Sequence, residues 1–125
     1  MEANKNITGM WTSNDRTVGV NLSLIIFEDD GKVVVYCPAL DISGYGLNER
    51  EAIESFKLSL GEFFLYTLQK KTFLSELKKL GWTISKSKTM MPPAMSKLLK
   101  QNANFSNIFN NYPFKKINEQ ISIPA

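Results

Sequence analysis

From Val18 to Glu28 the chain reads VGVNLSLIIFE, with Val20, Leu22, Leu24 and Ile26 at every second position. That period of two predicts a β-strand with one apolar face. Asp29-Asp30-Gly31 follows, a hairpin signal because an Asp-Gly pair accommodates positive φ. Lys32 to Cys37 (KVVVYC) is the returning strand, rich in β-branched and aromatic residues, and Pro38 ends it because proline donates no hydrogen bond to a ladder. With an even loop, Ile26 faces Val35 and Leu24 faces Cys37; an odd loop would swap the pairings. The other face then presents Ile25, Phe27, Val34 and Tyr36. Both faces of the hairpin are therefore apolar. One can pack on a helix, and the other needs a cover: the chain's own tail, a second protomer or a partner. These four residues are the candidate partner or dimer surface.

Asp41 to Gly46 (DISGYG), with two glycines, suits an edge strand or a bulged connection. Asn48 reads as an N-cap, with Glu51 as the reciprocal member of a capping box. Ala52, Ile53, Phe56, Leu60, Phe63, Phe64 and Leu68 recur at helical spacing. Thr72 is the expected cap of a short helix through Phe73, Leu74, Leu77 and Leu80, stopped by Gly81. Trp82 to Ser85 is one more candidate strand. The order β-β-β-α-α-β implies an α+β domain over residues 1–85, an antiparallel sheet with one long and one short helix on one face.

Beyond Ser85 the pattern loosens. Residues 86–125 form an extension rich in Asn, punctuated by Pro92 and Pro93. Ala94 to Leu99 can make one or two helical turns, and Phe105, Ile108, Phe109 and Tyr112 have amphipathic spacing. Ile117, Ile121 and Ile123 suit a further strand. So many large apolar side chains are expected to dock, on this domain or on a second protomer, with Ile117 to Ile123 as an edge strand.

Composition narrows the chemistry. The 125 residues are 43% hydrophobic and include one cysteine, Cys37, and no histidine. One cysteine forms no internal disulfide and fits a reducing compartment. The missing histidine removes Ser-His-Asp and Cys-His nucleophile pairs and imidazole-ligated metals. Cys37, in an apolar strand without a basic neighbour, reads as a core thiol. Glu28, Asp29 and Asp30 read as solvated turn residues. A nuclease-like metal site would need carboxylates from separate elements, and Asp41 is the other attractive contributor. Gly44-Tyr45-Gly46 matches neither a dinucleotide fingerprint nor a P-loop and reads as a bent strand. The expectation is a non-catalytic protein with no cofactor and no metal.

Charge is uneven. Residues 1–82 carry nine Lys and Arg against eleven Asp and Glu, while residues 83–125 carry six Lys against Glu119 alone. Such a tail suits a polyanion, an acidic protein face, or simple solvation. Met1 to Met10 lacks the basic and apolar regions of a secretory signal, and no apolar run reaches membrane-spanning length, so a cytoplasmic protein is expected.

The stretch Tyr36 to Ala52, YCPALDISGYGLNEREA, resembles HicB-type antitoxins. Tyr36, Pro38, Leu40, Gly44, Gly46, Glu51 and Ala52 follow that family's order, as do Phe27-Glu28 and Asp30-Gly31 before them, and the resemblance spans roughly residues 20–84. It implies a partly open β-sheet with a flanking helix, like a double-stranded-RNA-binding or ribonuclease-H-like core. It also implies a partner, a small basic ribonuclease toxin of the HicA type that the antitoxin masks, and autoregulation of the operon. Residues 85–125 do not show the ribbon-helix-helix or helix-turn-helix reader of many members, so direct DNA binding is not expected. The alternatives are a homo-oligomeric domain of unrelated role and, less favoured, a metal-dependent nuclease.

Overall fold

The computed structural model describes residues 17–85 and 90–124. Met1 to Met10, Lys86 and Lys88 lie outside these described residues. The first hairpin joins β1 (Thr17–Asp29) to β2 (Lys32–Cys37), with Ile26 opposite Val35 and Asp29 opposite Lys32. Its two-residue loop places Asp30 at φ 53° and Gly31 at φ 78°. Two consecutive positive φ values define the turn whose twist matches the flanking strands.

β3 (Ile42–Gly46) pairs antiparallel with β2, and β6 (Phe114–Pro124) pairs antiparallel with β1 from Thr17 opposite Pro124 to Phe27 opposite Phe114. The main sheet is thus β3-β2-β1-β6, and the protein is α+β. Its last strand comes from the C-terminal extension, so the expected boundary after Ser85 does not separate that extension from the sheet.

Helix α1 (Glu49–Gln69) covers one face. Asn48 caps it as expected, its Oδ1 accepting from the Glu51 amide at 2.9 Å. The reciprocal bond goes one residue further out, from the Leu47 amide to Glu51 Oε1 at 3.0 Å. Two glycines let this helix approach β3 closely. A Cβ on Gly44 would lie 2.2 Å from the Phe56 amide nitrogen, and one on Gly46 would lie 2.5 Å from that of Ala52. The Gly-Tyr-Gly segment is a strand stripped for helix packing. Ala52, Phe56, Leu60 and Phe64 fill the interface.

Helix α2 (Phe73–Lys79) meets α1 through a cluster of Phe63, Phe64 and Phe73, with ring centroids 5.8–6.2 Å apart. Thr72 occupies its N-cap, but its side chain makes no capping bond; its carbonyl instead accepts from Ser75 Oγ and the Glu76 amide. Gly81, at φ 98°, closes the helix through paired bonds from the Gly81 amide to Lys78 and the Trp82 amide to Leu77. The strand expected at Trp82–Ser85 is short, β4 (Thr83–Ile84). It pairs with β5 (Met90–Met91) in a separate ribbon rather than entering the main sheet. Trp82 directs the chain there, because its Nε1 donates to the Ala39 carbonyl at 2.8 Å.

Two helices follow in the extension, α3 (Met95–Gln101) and α4 (Ala103–Asn111). Asn102 caps α4, its Oδ1 accepting from the Phe105 amide at 3.1 Å. Phe105 and Ile108 are buried. With Phe27 and Tyr112 in ring contact at 4.9 Å, this segment covers the apolar β1–β2 patch on the sheet face opposite α1.

Candidate protein-binding surface

Ile25, Phe27, Val34 and Tyr36 do share one face, but they are at most 8% exposed. The expected partner or dimer surface is therefore not open. Of the three possible covers, the chain's own extension supplies it, because Ile108 and Tyr112 lie over Phe27, Val34 and Tyr36. Burying large apolar side chains, at roughly 1.5–3 kcal/mol each, drives that docking.

A polar clasp holds the cover in place. Tyr36 Oη donates to Asp41 Oδ1 at 2.5 Å and accepts from Asn102 Nδ2 at 2.8 Å. Asp41 reaches this position from a left-handed residue, φ 55°, in the β2–β3 turn. Burial, reinforced by the Asp41 carboxylate, pushes the Tyr36 phenol well above its ordinary range. Its neighbour Cys37, fully buried, is pushed up to about 12 by desolvation and stays a thiol.

A larger opening lies at the hairpin end. A cleft of about 540 Å³ runs between the β1–β2 tip, the start of α1 and the start of β6. Ile26, Phe27, Val33, Pro113 and Phe114 give it apolar walls, while Glu28, Glu49 and Lys115 supply its charge. Lys115 Nζ lies 2.8 Å from Glu49 Oε2. Glu28 makes no ion pair among the described residues. Asp29 and Asp30 are exposed at the hairpin tip, outside this cleft, and Asp29 accepts from Tyr112 on the other face. An apolar floor bordered by carboxylates can receive a basic, partly apolar side chain such as Lys or Arg, whose methylene stem packs while its charge meets oxygen.

Glu28, Asp29 and Asp30, the expected turn carboxylates, sit exposed at the hairpin tip. Asp41 sits apart, bonded to Tyr36. No group of three or more His, Cys, Asp or Glu is placed to hold a metal among the described residues. Glu49, Phe114 and Lys115 escaped the sequence reading of this site. Their only signals were an acidic first helical turn and a Phe-Lys-Lys run before a strand. No helix among the described residues is long and apolar enough to cross a membrane. Comparison with protein-family models, curated proteins and solved structures gives no match.

Proposed function

We propose that this protein is a non-catalytic protein-binding module, resembling a HicB antitoxin, that masks a small basic ribonuclease toxin of the HicA type. The observation that carries this reading is the hairpin-end cleft, whose apolar walls are bordered by Glu28 and by Glu49 in its pair with Lys115. A basic partner gains both association rate and specificity from such a rim. The ordered match of Tyr36, Pro38, Leu40, Gly44, Gly46, Glu51 and Ala52 to the antitoxin pattern supports the class of partner.

The test is co-expression with a small basic ribonuclease toxin of the HicA type, sought first in the neighbouring reading frame, followed by affinity purification and an RNA-cleavage assay. The wild-type chain is expected to co-purify and to suppress cleavage. A Glu28→Lys, Glu49→Lys variant, folded by circular dichroism, should lose at least about tenfold in affinity, more at low salt than at high. Absence of a complex, or a complex indifferent to both reversals, overturns the reading.

A further inference from the structure

Among the described residues, the outer edge of β6 is the longest strand edge with no neighbouring strand. β6 ends the sheet order, and among the described residues no strand pairs with its side away from β1. Native proteins blunt such edges or use them. Charges do blunt this one against indiscriminate pairing, with Lys115, Lys116 and Glu119 along it. Their spacing, however, is self-complementary.

We infer that two copies of this chain join through antiparallel pairing of β6 with β6, about a two-fold axis at Ile117. This goes beyond the partner reading and does not depend on it. In a two-fold antiparallel pair each sheet face continues across the junction, so facing residues must be of like parity along the strand. With Ile117 facing its own copy, Lys115 faces Glu119 of the second copy, and Glu119 faces the second Lys115. Both opposite-charge pairs and the Ile117 pair then fall on the face that α1 covers, since Ile117 is opposite Leu24 and Lys115 opposite Ile26. The half-buried Ile117 gains an apolar neighbour at the junction. On the other face Lys116 meets Asn118, and Phe114 meets Gln120.

Neighbouring registers lack this match. Sliding the axis by one residue, to Asn118, sets Ile117 against Glu119 and Lys115 against Ile121. Sliding it to Glu119 brings that carboxylate against its own copy, which destabilises. Opposite charges meet twice only when the axis falls at Ile117.

Sedimentation of the full chain at tens of micromolar tests the inference, together with a thiol at the axis. Directly opposed residues of an antiparallel pair have Cα atoms about 4.5–5.5 Å apart, within disulfide reach. Ile117→Cys should therefore oxidise to a covalent dimer, whereas Ile121→Cys should not; the native Cys37 is buried and does not interfere. Glu119→Lys should raise the dimer dissociation constant at least about tenfold, and adding Lys115→Glu should restore it. A wild-type monomer at this concentration overturns the proposal. So does a dimer that Ile117→Cys fails to link or that ignores the Glu119 reversal. Circular dichroism of each variant separates loss of pairing from loss of fold.

Discussion

One apolar hairpin is closed by two helices of different kinds. α1 is 21 residues long, capped, and seated with its backbone against β3 through Gly44 and Gly46. α4 has nine residues and holds the opposite face by two buried side chains, Phe105 and Ile108, plus the Asn102–Tyr36–Asp41 clasp. A helix of that length is marginal in water alone, so its structure depends on docking. Covering by backbone approach and covering by side-chain anchors should therefore fail differently. The first should fail with the whole domain, the second as a separable layer.

Breaking the α1 cover should have the largest effect. Gly44→Val places a side chain where the Phe56 backbone already sits, and neither strand nor helix can yield cheaply. Loss of at least about 3 kcal/mol is expected, seen as a lost or strongly lowered thermal transition. On the other face, Phe105→Ala removes the larger anchor of α4 and should cost about 3 kcal/mol in denaturant unfolding. Its distinguishing sign is increased binding of a hydrophobic dye at preserved helical content of α1. A Phe105→Ala protein that loses all secondary structure would refute the idea of a separable layer.

The same contrast explains what was legible in the sequence. The Asp30-Gly31 turn, β2, the Asn48 cap and α1 rest on neighbouring residues, so local periodicity and turn chemistry locate them. The doubly apolar hairpin announced that a cover was needed, but not its source. The pairing of Tyr36 with Asn102 spans 66 positions, and no local pattern carries such information. Likewise Ile117, Ile121 and Ile123 disclose an alternating strand, not that β1 is its partner. β4 and β5 have two residues each, too few for any period to register. The hairpin-end cleft is assembled from three separated segments, so Glu28 reads as a solvated turn residue and no local pattern joins it to Glu49 or Phe114.

Alkaline titration sharpens the comparison, because adjacent residues Tyr36 and Cys37 point to opposite faces. Both are neutral when protonated, and burial raises both folded-state values. The unfolded chain therefore releases these protons first. Stability is full below the unfolded pKa values and falls as pH rises past them. The decline begins near 9, the ordinary value of the Cys37 thiol, and its contribution continues to about 12. Its slope approaches about 1.4 kcal/mol per pH unit for that group. Denaturant unfolding between pH 8 and 11 should show this loss, with Cys37→Ala delaying its onset toward 10, the ordinary value of the Tyr36 phenol. Stability independent of pH across that range would contradict the buried, protonated state of both.

The smallest effect tests separability from the stabilising side. α1 ends with Lys71 at φ 59°, and the Lys71 and Thr72 amides bond to the Leu68 and Thr67 carbonyls. α2 ends the same way, but with Gly81 in the left-handed position. A side chain there is strained, whereas glycine adopts it freely. Lys71→Gly should therefore stabilise by about 0.5 kcal/mol, the relieved strain being partly offset by a more flexible unfolded chain. That gain belongs to α1. Undocking of α4 leaves α1 folded before and after, so the Lys71 substitution cancels from the local equilibrium. Amide exchange of α1 through global unfolding should slow by about twofold, the rate ratio equivalent to that gain. Exchange of Phe105 and Ile108 should not change. If they slowed by the same factor, α4 would open only with the whole molecule, and the two covers would be one cooperative unit.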